Sequence, residues 1–211
     1  MSLDRPHVVL SAATSIDGYI DDASPRRLIL SSPREMEAVR RLRGEHDAIL
    51  VGANTVRRDN PGLGADGPRQ PVKVTVTASG DLDPKARFFV EGDVDKIVYC
   101  ATPQARRRLQ DVAHAVEADG WPAIFADLAA RGVGSVLVEG GGTVHTQLLL
   151  QGLADELRLA VAPLFVGDPA APRFVGPGAF PHDSRARMRL RRVESLGDVA
   201  VLHYTLGGDN G

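Results

Sequence analysis

Three features of the sequence predict an α/β fold. Short β-branched runs alternate with helix-like patterns, as when strands lie side by side under crossover helices. Several runs, such as 47–51 and 135–138, are almost wholly apolar, as strands covered on both faces are. Two of these runs pass through glycine directly into a helical pattern, at Gly52 and at Gly140-Gly141-Gly142. At 211 residues the chain can bury a sizeable core and reads as one domain, 1–211.

Taken in order, residues 7–13 form the first strand, and the Asp17-Gly18 turn signal follows at its carboxyl end. Ser32-Pro33-Arg34-Glu35 reads as a capping box with proline at the first helical position, opening a helix that runs to Gly44. Residues 47–51 are a buried strand, and Gly52 turns it into a short helix through Thr55 and Arg58 that Asn60-Pro61-Gly62 stops. The Gly- and Pro-rich segment 62–70 is a surface loop before the strand 71–77. Residues 97–100 form another strand. The region beyond it is weakly patterned, with Arg106, Arg107 and Arg108 on a solvated helical turn. A helix over 122–131 closes at Gly132, the strand 135–138 runs into Glu139 and the three glycines, and a helix over 143–151 ends at Gly152. Residues 157–161 form a strand. The alternating runs 187–193 and 199–206, joined across Gly197-Asp198, read as an antiparallel hairpin, so the sheet is mixed. The tail 207–211 is expected to be mobile.

Composition narrows the function. The formal net charge is −2, from 25 basic and 27 acidic side chains, so no global field draws in nucleic acid or an anionic membrane. No apolar run approaches the roughly 20 residues that span a bilayer. The single cysteine, Cys100, excludes an internal disulfide and suits the cytoplasm. No metal site is expected, since no histidine has another three or four residues away. A G-x-S-x-G elbow and the zinc deaminase signature are both absent. Only Lys73, Lys85 and Lys96 are lysines, so arginine carries nearly all the positive charge.

Chemistry is most legible at the two glycine junctions. Glycine admits close backbone approach, and the first N–H groups of a helix are unpartnered donors at the positive end of its dipole. Glu139-Gly140-Gly141-Gly142-Thr143-Val144 therefore reads as a phosphate cradle, and a tight turn using glycine only for clearance is the competing reading. It is neither G-x-G-x-x-G nor a P-loop. The junction at Gly52 adds Thr55, Arg57 and Arg58. An arginine there could pair with a 2′-phosphate and favour NADPH, although a solvated Arg-Arg pair explains the residues equally well.

Ser15-Ile16-Asp17-Gly18, Ser31-Ser32-Pro33 with Arg43, Asp47-Ala48-Ile49 through Gly52 and Thr55, Asp59-Asn60-Pro61-Gly62-Leu63, Glu139-Gly140-Gly141 and Gly152-Leu153-Ala154-Asp155-Glu156-Leu157 occur in this order over about 8–167. The ensemble resembles the reductase domain of riboflavin biosynthesis. That resemblance implies a dihydrofolate-reductase-like fold, with helices on both faces of a mostly parallel sheet and a C-terminal hairpin. It implies NADPH-dependent reduction of a phosphoribosylamino-pyrimidine to its ribityl form. Ala13, Gly52, Thr55, Arg57, Asp59, Gly140, Gly141, Gly142, Thr143 and Val144 would hold the cofactor, and Arg43, Leu63, Arg69 and Glu139 the substrate. Asp17 and Glu139 are the candidates for catalysis. Relatives are commonly homodimers. This chain departs from the family pattern at Asp66, where an arginine is usual, at Thr77, where an aspartate is usual, and at Arg27, where serine is frequent; Arg69 could substitute for the arginine. A reductase of another small heterocycle, such as a dihydropterin, is one alternative, and a non-catalytic nucleotide-binding protein is another. The deaminase half of bifunctional relatives is absent from this chain.

Overall fold

The structure is a computed structural model and describes residues 5–207. Among the described residues nine strands form one mixed sheet in the order β5-β4-β3-β2-β6-β1-β7-β9-β8. In chain order the elements are β1 (His7–Ser15), α1 (Pro33–Gly44), β2 (Ala48–Gly52), α2 (Ala53–Asp59), β3 (Val72–Thr77), α3 (Arg87–Val90), β4 (Lys96–Cys100), α4 (Pro103–Leu109), β5 (His114–Glu117), α5 (Gly120–Ala130), β6 (Ser135–Gly140), α6 (Gly142–Leu150), β7 (Glu156–Ala162), β8 (Arg189–Leu196) and β9 (Val199–Thr205). The expected mobile tail starts at Gly207, an exposed bend, and 208–211 lie outside the described residues.

The chain divides into two compact units, each discontinuous in sequence. One comprises Arg40–Leu137 with the described residues up to His7; the other comprises Val8–Val39 and everything from Val138 onward. In the first unit β2, β3, β4 and β5 pair in parallel. Every residue of β2 is buried, which explains its unbroken apolar run. Ile49 and Val51 pack with Val56, Leu82, Phe88, Val98 and Leu109, and the rings of Phe88 and Phe89 meet edge to face at 4.9 Å. The weakly patterned stretch after β4 holds α4, which Thr102 caps by accepting from the Ala105 N–H at 3.1 Å, and the strand β5. β5 is only partly buried and alternates poorly, so period-two reasoning misses it.

In the second unit β1 pairs with β7 in parallel, and β7, β9 and β8 pair antiparallel, with a register shift between Leu190 and Arg192. β1 extends two residues further than expected, through Thr14 and Ser15. The capping box at α1 forms only in half. Ser32 Oγ accepts from the Glu35 N–H at 3.2 Å and donates to Leu196 O at 2.7 Å, while the Glu35 carboxylate turns inward to Arg158 at 2.7 Å. Ser11 is the register partner of Arg158, so α1 packs on the sheet face that carries Ser11 and, two residues on, Ala13.

Candidate active site

In the second unit the carboxyl end of β1 enters a tightly tied loop. Asp17 accepts from Ser15 Oγ at 2.6 Å, from the Gly167 N–H at 2.8 Å and from the Val166 N–H at 3.1 Å. The Ser15 hydrogen bond above all, with help from the two backbone donors, holds its carboxyl below the ordinary carboxylate range. Asp17 is thus an ionised clamp between the first loop and 166–167, and its three donors leave it poorly suited to deliver a proton.

The β6–α6 junction is glycine for identifiable reasons. Gly140 has φ +110°, and a Cβ there would lie 3.1 Å from the His145 ring. A Cβ on Gly142 would lie 2.3 Å from the carbonyl oxygen of Arg173. Clearance, the competing reading, therefore accounts for two of the three glycines. The third, Gly141, is the N-cap of α6, and no side chain satisfies the helix's first N–H groups there. Val144 and His145 donate back to Gly141 O at 2.9 and 3.1 Å, which places Thr143 and Val144 in the opening turn. This uncapped, nine-residue helix following a glycine pair fits the phosphates of a nucleotide cofactor. Ala13, half-buried near Ala160, Val199 and Val201, lies on β1 facing α1. Glu139, next to last in β6, is partly exposed.

His145 behind this junction is fully buried. Its Nε2 lies 3.3 Å from Val138 O, its Nδ1 has no partner, and Phe174 packs on the ring at 5.1 Å. Burial pushes its pKa down to about 4. The unfolded chain therefore binds a proton near pH 6.5 that the folded chain refuses, so stability falls as pH drops from about 6.5 toward 4. His145→Leu should flatten that stretch of the stability–pH curve in urea titrations; an unaltered slope would show that His145 does not set it.

In the first unit Gly52 caps α2 without side-chain help, and Thr55 and Asp59 lie on that short helix. Arg57 is committed to the protein: Nη1 donates to Asp81 O at 2.8 Å and Nη2 to Asn54 Oδ1 at 2.5 Å. Leu63 is buried with φ +54°. Arg43 Nη1 donates to Gly64 O at 3.0 Å, and Arg40 Nε and Nη2 both reach Asp66 Oδ1, at 2.9 and 2.7 Å. A Cβ on Gly44 would strike Asp66 O at 2.1 Å, so the loop lies directly on the last turn of α1. Arg43 is thereby held beside the loop that follows Leu63.

Arg69 is not brought with them. It pairs with Asp47 at 2.7 Å, and Asp47 also accepts from the Gly134 and Ser135 N–H groups at 2.9 Å. These residues precede β2 and begin β6, so Arg69 sits at the amino ends of those strands, whereas Gly52 lies at the carboxyl end of β2. Thr77 uses its hydroxyl to accept from the Gly80 N–H at 3.1 Å, a local turn. Arg27 is exposed.

Sequence reasoning missed a buried ion pair and a buried lysine. Arg158 and Glu35 form an ion pair at 2.7 Å with side chains 5% and 2% exposed. Lys73 donates to Glu91 O at 2.5 Å, and burial, with Lys96 adding repulsion, lowers its pKa to about 8. The arginine inside the apolar alternation of β7 was the available signal for the first. Among the described residues no group of three or more His, Cys, Asp or Glu is placed to hold a metal ion, and no helix is long and apolar enough to cross a membrane.

Comparison with known proteins places these features. The RibD C-terminal domain family matches residues 6–202. The chain is 32% identical to the 2,5-diamino-6-ribosylamino-4(3H)-pyrimidinone 5′-phosphate reductase of Methanothermobacter thermautotrophicus, over 97% of this chain and all of that protein. It is 30% identical to the riboflavin biosynthesis protein RibD of Bacillus amyloliquefaciens, spanning 55% of that longer protein. Among solved structures it is similar to RibD of Acinetobacter baumannii, with a TM-score of 0.86 at 23% identity, covering 99% of this chain and 60% of that one. The Saccharomyces riboflavin biosynthesis reductase Rib7 gives a TM-score of 0.78 at 21% identity, covering 98% and 92%. The family match over residues 6–202 and the 32% identity along nearly the whole chain show that this protein belongs to the RibD C-terminal domain family.

Proposed function

We propose that the protein is a reductase of riboflavin biosynthesis, converting the ribosyl group of 5-amino-6-(5-phosphoribosylamino)uracil, or of its diamino-pyrimidinone counterpart, to ribityl. The observation that carries this reading is the β6–α6 junction, where Glu139 and the uncapped start of α6 adjoin in a chain similar along its full length to such a reductase. When bound, NADPH would supply a hydride to C1′ of the ring-opened imine, whose nitrogen would gain a proton. The residues proposed to hold the cofactor are Ala13, Gly52, Thr55, Asp59 and Gly140 to Val144. Arg57, fixed by Asn54 and Asp81, supports a preference for NADPH over NADH through its charge. Arg43, Leu63 and Glu139 are proposed to face the substrate, Arg43 as the fork-shaped partner of its phosphate. Arg69, spent on Asp47, is left out of this set.

Mixing the protein with the phosphoribosylamino-pyrimidine and NADPH should consume reduced nicotinamide absorbance and yield the ribityl product. Absence of turnover by protein that binds NADPH would overturn the reading. Asp66, held by Arg40 within the loop, favours a second one, a reductase whose substrate carries no phosphate; turnover of the dephosphorylated pyrimidine or a dihydropterin in preference would select it.

We further propose a cytoplasmic homodimer. Leu190 and Val193 lie opposite Tyr204 and Leu202 on one face of the β8–β9 hairpin, and the first two are 51% and 57% exposed. An apolar sheet face of this kind suits a self-complementary interface. Val193→Glu should shift sedimentation from dimer to monomer; a wild-type protein that sediments as a monomer would refute the assignment.

A further inference from the structure

Within the first unit, the segment that runs from α2 to Leu63 and Gly64 rests on a brace. Asn60 caps α2 with φ +43°, and its Oδ1 accepts from the Arg87 N–H at 2.7 Å. Gly62 leaves no room for a side chain, since a Cβ there would overlap Glu91 Oε2. The Glu91 carboxylate in turn accepts from Arg87 Nε at 2.5 Å and from Arg87 Nη2 at 3.1 Å. Leu63 then turns into the core with φ +54°, and Arg43 holds Gly64 O. Residues 60–62 are thus laid against α3 and Glu91 just before the chain reaches Leu63.

A buried cation fastens this brace to the sheet. Lys73, the second residue of β3, is 3% exposed, and its Nζ donates to Glu91 O at 2.5 Å. Its register partners are Ile49 of β2 and Lys96 of β4. Positive charge acts on it from Lys96 of β4, Arg43 of α1 and Arg87 of α3, against the negative charge of Glu91. Lysine is seldom this deeply buried. Burial first, and Lys96 second, bring its pKa down to about 8, so at neutral pH its charge is carried at a cost in stability. Folding alone would favour an apolar side chain beside Ile49, and departures of that kind gather at functional sites.

We propose that Lys73 is a positioning residue for the substrate: through Glu91 it fixes residues 60–64, and with them Leu63 and the loop that Arg43 holds. It acts through the brace and not by contact with the substrate. The inference rests on the assignment of Leu63 and Arg43 to the substrate under the proposed function, and amide exchange in the loop is a readout that needs no turnover.

In Lys73→Met, hydrogen exchange of the 62–64 amides should quicken by about tenfold. KM for the phosphoribosylamino-pyrimidine should rise by about tenfold while kcat stays within about twofold, the split that marks lost uniform binding. In the wild type KM should also climb above about pH 8, where Lys73 gives up its proton, whereas in the variant it should stay level. Stability should move the other way. The unfolded chain keeps up to about pH 10.5 a proton that folded Lys73 releases near 8, so wild-type stability rises across that interval. Without the buried charge, Lys73→Met should be at least as stable as the wild type at pH 7 in urea. Glu91→Gln, at the partly exposed end of the brace, should fold normally and show the same changes in exchange and KM at about threefold. Unchanged exchange in both variants, or faster exchange with unaltered KM, would overturn the proposal. A wild-type protein that does not turn over the pyrimidine would overturn the proposed function instead; its affinity for the pyrimidine, measured by calorimetry, would then replace KM, and absence of binding would overturn both.

Discussion

Arg158→Met is expected to lower stability by about 3–5 kcal/mol, because it strands the Glu35 carboxylate in the interior without its cation. Glu35 and Arg158 are almost wholly buried, and their contact joins the first turn of α1 to the middle of β7. The pair is itself imperfect, since Arg158 Nη2 has no partner. Burying two charges incurs a desolvation cost that one good hydrogen bond barely offsets, so removing both should be far milder than removing either. Glu35→Met combined with Arg158→Met should therefore recover most of the loss, to within about 1–2 kcal/mol of the wild type. Urea unfolding of the two single variants and the double closes the cycle. A loss below about 1 kcal/mol for Arg158→Met would show that solvent reaches the pair.

Gly141→Asp should raise the dissociation constant for NADPH by about a hundredfold or more while leaving the fold intact. The two effects have opposite signs for one reason. Gly141 has φ −77° and ψ −166°, ordinary extended backbone that an L residue can adopt. It is the N-cap of α6, where aspartate is among the preferred residues and can add up to about 1 kcal/mol to the helix. The same carboxylate would occupy the place proposed for the cofactor pyrophosphate and repel it. Melting temperature without ligand should hold or rise, and the increase in melting temperature that NADPH gives the wild type should vanish. Retention of that increase would move the pyrophosphate away from the β6–α6 junction. Gly142→Ala makes a useful contrast, because its Cβ meets Arg173 O and should cost folding stability first.

Local sequence was sufficient for the elements that bury a continuous apolar run or carry a terminus signal. β2 and β6 are such runs, α1 opens at Ser32-Pro33, and Gly140 and Gly152 both take the positive φ that glycine allows. What the sequence could not decide was which of several chemically equivalent partners each polar group would find. Glu35 was consistent with a capping box and went to Arg158, 123 residues away. Arg69 was a plausible replacement for the missing loop arginine and went to Asp47. Asp17 could have been a proton carrier and became the clamp on 166–167. Backbone conformation and apolar periodicity are set by neighbours along the chain, so they can be read from it. Ion pairs and hydrogen bonds depend on distances of about 3 Å between segments far apart in sequence, and only the packed sheet fixes those.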